Sequence, residues 1–279
     1  MAILLALGAA LSYGLSDFIG GLVSRRTSAW AVAVVGGTSS VVFTGLTALF
    51  FTGSPRPVDF AWATVAGIGS GVGVGFLYRG FATGRMSVVA PVSAVGAALV
   101  PVLFGVVGGE RPGGLVWLGI VLAAPAIWLV SSVPPTPEDD STPLRDGLLD
   151  GVLAGLGFGL LFACIGQVPR ESGMVPLAFT QLVSVPAVVL LATALHTDWV
   201  PRDRAVGWAA LTGPLGGSAN LLFLLATQRG YLTVSAVLTS LYPASTVVLA
   251  ALVLREQIHR AQAVGLALCA VTVTLVAVG

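Results

Sequence analysis

The sequence predicts an all-α polytopic integral membrane protein: ten transmembrane helices arranged as two inverted five-helix repeats. Three observations predict it. Ten apolar stretches follow one another with little between them, and about 20 apolar residues is the length that spans a bilayer core as a helix. Of the 279 residues, 56% are hydrophobic and only 9% charged, against roughly 25% charged in soluble domains. The chain also matches itself when shifted by 146 residues, so five spans recur. An odd number of spans sends the two copies through the bilayer in opposite directions, an arrangement whose site usually lies near the midplane between halves.

In chain order the spans read as 2–22, 29–51, 60–78, 88–108, 114–132, 148–168, 174–195, 205–226, 232–254 and 261–278. The start lacks a basic n-region and a small-residue cleavage site, so span 1 reads as a retained helix and not a signal peptide. Span 3 carries Gly67, Gly71 and Gly75 at four-residue spacing, and span 6 carries Gly147, Gly151, Gly155 and Gly159. Membrane helices gain nothing by hiding Leu from water, so small-residue stripes mark the close contacts. Prolines inside spans, at 91, 101, 125, 186, 214 and 243, each remove a helix hydrogen bond. Pro91 and Pro243 read as hinges or, at least as readily, as static structural kinks. The polar, Pro-rich stretch around Pro134 to Asp146 has no pattern that builds a core. It divides the chain into a first repeat at 1–132, a linker at 133–147 and a second repeat at 148–279.

All 13 basic residues are arginine. By alternate loops, one side holds Arg25, Arg26, Arg79, Arg85, Arg145, Arg202, Arg204, Arg255 and Arg260, and the other Arg56, Arg111, Arg170 and Arg229. The positive-inside rule then puts the first side in the cytoplasm and both termini outside. Arg79 reads as a gate or an anchor for an anionic substrate, or, in the favoured reading, as an interfacial snorkelling residue. Trp30, Trp62, Trp117, Trp199 and Trp208 fall near span ends and read as interfacial anchors. Net charge is +1 with no basic tract, so no nucleic-acid partner is expected. Two cysteines inside apolar spans and two histidines at span ends imply neither a disulfide framework nor a metal site. No cofactor is expected, and the partners are the lipid bilayer and a small molecule, in a monomer or homodimer of the plasma membrane; proton coupling through Asp17 is a hypothesis beside that of an uncoupled facilitator.

Asp17 is the sharpest single signal, because an ionisable residue within a span is a functional hypothesis by default. It reads equally as a proton carrier or cation anchor, or as a structural pair with Arg25 or Arg26. Tyr13, one helical turn earlier, is placed to hydrogen-bond it. Span 9 carries Ser235, Thr239, Tyr242 and Thr246 on one helical face, which must point at protein or water; cavity lining is the slightly favoured reading. Gln181 and Asn220 offer donors and acceptors, with Ser39, Ser40, Ser93 and Ser184 as supporting polar groups. Asp17, Tyr13, Gln181, Asn220, Thr239 and Tyr242 are therefore the candidate substrate ligands. Glu110 and Glu256 end spans 4 and 9 at matching positions, which favours a shared structural task such as accepting hydrogen bonds from the next helix's N-terminus.

The repeat is read from Gly84 against Gly230, Ser87 against Thr233, Ala90 against Ala236, Glu110 against Glu256 and Gly119 against Gly265. Early in the halves the offset is 145, Leu11-Ser12-Tyr13-Gly14 against Leu156-Gly157-Phe158-Gly159. These pairs, with Ser87-Val88-Val89-Ala90-Pro91 and Val237-Leu238-Thr239-Ser240-Leu241-Tyr242-Pro243, resemble the EamA-type repeats of the drug/metabolite transporter superfamily over essentially the whole chain. Gly-Glu-Arg at 109–111 becomes Arg-Glu-Gln at 255–257, and the helix proline at 243 is Ala97 in the first half. The resemblance implies secondary transport, and export of amino acids, nucleobases or related compounds. It also implies cytoplasmic termini, against the arginine count. No P-loop or catalytic constellation occurs, so no enzyme activity is expected. A membrane scaffold without transport is the alternative, with an intramembrane lipid-modifying enzyme behind it.

Overall fold

The structure, a computed structural model, describes residues 1–82, 86–132, 144–253, 255 and 257–279. Eleven α-helices follow in chain order among these residues: α1 (Ala2–Ser24), α2 (Ala29–Phe50), α3 (Pro57–Ala82), α4 (Met86–Val107), α5 (Gly114–Ser131), α6 (Leu144–Ile165), α7 (Val175–Ala194), α8 (Thr212–Thr227), α9 (Leu232–Thr239), α10 (Tyr242–Val253) and α11 (Arg260–Val278). They supply ten segments long and apolar enough to cross a membrane. Both termini lie at one end, the terminal end. The opposite end carries the more numerous arginines.

Several boundaries differ from the sequence reading. Helix α3 runs beyond 60–78 at both ends, and α6 begins at Leu144, inside the stretch expected to be linker. Span 8 opens as a 3-10 helix, Arg204–Leu211, capped by Asp203, whose side chain accepts from the Ala205 amide. Span 9 is two helices, α9 and α10, separated by a turn at Ser240 and Leu241. Pro243 explains the break: it has no N–H to offer the Thr239 carbonyl four residues back. Helix α4 runs unbroken through Pro91 and Pro101, because a proline removes one bond but neighbours can hold the helix straight.

The most extensive packing joins helices from opposite halves: α3 and α4 against α6, α3 against α7, α1 against α8, α5 against α11. Glycine makes these approaches possible. A Cβ on Gly157 of α6 would lie 2.5 Å from the Gly73 amide and 2.6 Å from the Gly69 carbonyl of α3. One on Gly67 would lie 2.5 Å from the Thr180 carbonyl of α7. Any larger residue there must push backbones apart, and in lipid no hydrophobic driving force restores the contact.

Trp30 is not an interfacial anchor. It is 4% exposed and meets Phe76 edge-on at 6.1 Å, since it begins α2 on the face that packs inward. Trp208 stays exposed. Cys164 and Cys269 are buried and free.

Candidate functional site

Five helices, three from one half and two from the other, each turn one face toward a common cavity. On α1 the face is Tyr13, Ser16 and Asp17; on α2, Ala33, Gly36, Gly37 and Ser40; on α3, Ser70, Val74 and Tyr78. On α7 it is Gln181, Ser184 and Val188, and on α8, Thr212, Gly216 and Asn220, with Phe158 and Leu161 of α6 closing the wall. The spacings of three, four and seven are those of a single helical stripe. The cavity holds about 600 Å³ of empty space, its opening included. Its lining runs from the middle of the spans toward the arginine-rich end. At the terminal end an aromatic stack closes it: Tyr13 on Phe162 at 5.6 Å and Phe162 on Phe223 at 4.6 Å.

Four of the six expected ligands meet here: Asp17, Tyr13, Gln181 and Asn220. The internal bonds differ from those expected. The Tyr13 hydroxyl donates to Asn220 Oδ1 at 2.6 Å, reaching across to α8 and not along α1 to Asp17. Asn220 Nδ2 donates to the Gly216 carbonyl at 3.0 Å, which fixes the amide. Gln181 Nε2 donates to Ser40 Oγ, while Gln181 Oε1 is buried with no donor. Asp17 forms no ion pair with Arg25 or Arg26 among the described residues.

Tyr242 and Thr239 are placed elsewhere. Tyr242 lines a second, smaller, mainly apolar cavity, about 410 Å³ of empty space with its opening included, together with Phe81, Ala90, Ser131, Pro243, Thr246 and Val247, and Asp17 lines this one too. The Tyr242 and Tyr13 rings are 6.2 Å apart. Thr239 is fully buried and donates to the Ala6 carbonyl at 3.4 Å. Thr246 likewise donates to the Gly14 carbonyl at 3.3 Å. The span 9 stripe is thus mostly a seam against α1 and does not line the main cavity, because Gly14 lets α10 approach: a Cβ there would lie 2.5 Å from that of Ser245.

Glu110 binds a helix N-terminus, but not that of the next helix. Its carboxylate accepts from the Leu232 amide at 2.5 Å and the Thr233 amide at 2.9 Å, the start of α9 in the other half. Gly109, at φ 95°, reverses the chain after α4 so that Glu110 can reach it. A carboxylate on the free N–H groups of a helix start compensates both their orphaned donors and the helix dipole. Glu256 lies outside the described residues.

Two buried acids escaped the sequence reading. Asp150 of α6 pairs with Arg79 of α3, through both Nη2 and Nε, the latter at 3.0 Å. Arg79 also stacks over Phe76 at 4.6 Å, so it is a bridge between the halves and not a snorkelling side chain. Asp59, fully buried, accepts from Ser172 Oγ at 2.6 Å and the Arg56 amide at 2.8 Å. Ser16, Ser70, Tyr78 and Thr212 of the cavity were missed as well; the four-residue spacing of Ser70, Val74 and Tyr78 was their only signal.

A cavity built from both halves of an inverted repeat is the architecture of a secondary transporter. The description of one family, the EamA-like transporter family, matches this chain twice, over residues 1–132 and 146–278. The chain belongs to the EamA-like transporter family. A comparison with curated proteins finds no match. A solved crystal structure shares the fold with a TM-score of 0.71 at 16% identity, covering 99% of this chain and 96% of its own; at that identity the likeness concerns the fold alone. This EamA-like protein is a multi-pass membrane transporter, of the drug/metabolite type, for a small molecule.

Proposed function

We propose that this EamA-like transporter is a secondary exporter of a small organic molecule in the plasma membrane. The cargo moves by alternating access through the cavity between the halves and is exchanged for protons at Asp17. One observation carries the reading: Asp17 sits in a cavity walled by both halves, and no described residue donates a hydrogen bond to it. Among the described residues the buried carboxylates Asp59 and Asp150 have partners, because an unpaired charge is expensive. An unpaired carboxylate in a cavity is one whose partner comes and goes. Export is the direction that the family resemblance implies, and the lining extends toward the arginine-rich end, the cytoplasmic one by the positive-inside rule and the outer one if the termini are cytoplasmic. A scaffold would consume its polar groups in helix pairs. Thr239 and Thr246 are consumed so, but Asp17 and Gln181 Oε1 are not.

The test is flux in proteoliposomes of a labelled panel of amino acids, nucleobases and small amines, with and without a pH gradient, for wild type and Asp17→Asn. Gradient-driven flux of a panel member, lost in the variant, is the expected result. Equal flux in both removes Asp17 from coupling and leaves a facilitator. Wild-type liposomes that carry nothing favour the scaffold.

A further inference from the structure

We infer that Asp17 and the two cavities it joins bind a monovalent organic cation, an amine carrying an apolar arm, in preference to a zwitterion or an anion. The inference rests on the transport reading above and names the class of cargo.

Three tyrosines, Tyr13, Tyr78 and Tyr242, stand close enough to Asp17 to feel its charge. None gives it a hydrogen bond. The Tyr13 hydroxyl is committed to Asn220, the Tyr78 hydroxyl lies beside Ser16 and Thr212, and the Tyr242 hydroxyl points toward Ser93 without completing a bond. The hydroxyls nearest Asp17 have other neighbours or none, so among the described residues the carboxylate is left without a donor. A carboxylate without a donor, in a cavity that holds no cation among the described residues, attracts an ammonium by charge.

The rest of the lining agrees. Among the described residues that line either cavity there is one carboxylate and no arginine or histidine. Arg79 follows Tyr78 directly but is bound to Asp150, so its charge is neutralised away from the cavity. The carboxylate of an amino acid would therefore be buried without a protein cation to pair with, which is unfavourable. Gln181 Oε1, an acceptor without a donor, suits an N–H or O–H of the cargo. Finally, Asp17 is shared by a polar chamber and an apolar one. An ammonium at Asp17 can leave its polar groups among Ser40, Gln181 and Ser184 and send an apolar arm between Phe81, Ala90 and Val247.

The experiment measures equilibrium binding in nanodiscs and counterflow in proteoliposomes for four probes: 2-phenylethylamine, ethylamine, phenylalanine and 3-phenylpropionate. Phenylethylamine should bind at least about tenfold more tightly than phenylalanine or phenylpropionate, which is about 1.4 kcal/mol. Asp17→Asn should abolish that preference. Val247→Phe, which fills the apolar chamber, should weaken phenylethylamine by about fivefold or more and leave ethylamine nearly unchanged. Ala90→Leu fills the same chamber from α4 and serves if the first variant does not fold. Preference for either acid, absence of amine binding, or equal loss of both amines in the filled variants overturns the inference. Counterflow of phenylalanine with no amine binding overturns the cargo class and leaves the transport reading standing.

Discussion

The two halves of this transporter share a path and divide the chemistry. With the offset of 145 that aligns their starts, Tyr13 corresponds to Phe158, and both line the cavity. One turn on, Asp17 corresponds to Phe162, and the likeness ends. Asp17 faces two cavities, while Phe162 is 2% exposed and lies between Tyr13 and Phe223. With the later offset of 146, Val74 corresponds to Asn220 and Ala97 to Pro243. The first member of each pair is apolar or helix-compatible; the second adds an amide or breaks a helix. The backbone repeat supplies a cavity between inverted halves, and single substitutions then assign the charge to one half and the helix break to the other.

The largest effect should come from imposing the first half's chemistry on the second. Phe162→Asp puts a carboxylate into an aromatic stack with no polar partner. A charge in that setting costs about 3 kcal/mol or more, so the variant should lose most of its folded yield or show a large drop in melting temperature. Near-wild-type stability would mean that water reaches the stack and that the terminal end is not closed there.

Next comes the bridge between halves. Asp150→Asn leaves Arg79 without its anion, and breaking a buried pair on one side costs about 3 kcal/mol. The Arg79 side chain is 29% exposed, so partial hydration places the loss at the lower end. The double variant Arg79→Asp with Asp150→Arg should recover part of the melting temperature. No recovery would assign the loss to packing against Phe76 and not to charge.

That pair also shows where sequence reading stops. Ten spans, two inverted repeats and the convergence of Asp17, Tyr13, Gln181 and Asn220 were legible, because apolar length, an odd repeat and rare polar residues are local signals. The Arg79–Asp150 contact was not, since the partners are 71 residues apart and each looked like an ordinary residue near a span end. Thr239 and Tyr242 were read as one polar face. Whether such a face meets a cavity or another helix depends on Gly14 across the contact, which periodicity along span 9 does not contain. Glu110 was read as a helix cap, but the helix it binds starts 122 residues later. Pairing between helices of opposite halves is what a one-dimensional pattern leaves out.

A smaller effect is expected at the contact that ties the halves together inside the cavity. Tyr13→Phe removes the donor to Asn220 Oδ1 and leaves that acceptor without it, a loss of about 1 to 2 kcal/mol. The ring contacts with Phe162 and Tyr242 remain, so the fold should survive. Substrate affinity should change more than stability does, as read by binding in nanodiscs against thermal melting. A change in melting temperature alone would make the bond structural and separate Tyr13 from the cargo.

The smallest change in stability and the most informative change in rate belong to Pro243→Ala, which gives the second half the residue the first half has at Ala97. Alanine restores the N–H that Pro243 withholds from the Thr239 carbonyl and removes the ring from the first turn of α10. Stability should move by no more than about 1 kcal/mol, because neighbouring helices and hydroxyls already compensate a proline break in a membrane bundle. Turnover is a different matter. The break lies beside Tyr242 in the wall of the apolar cavity, where α9 and α10 must bend independently if that cavity is to open on one side and close on the other. Removing it should slow counterflow several-fold with binding affinity preserved, since hinge changes act on rate. Unchanged turnover would make the break a static kink, and the search for the moving element would shift to the 3-10 segment Arg204–Leu211 that leads into α8.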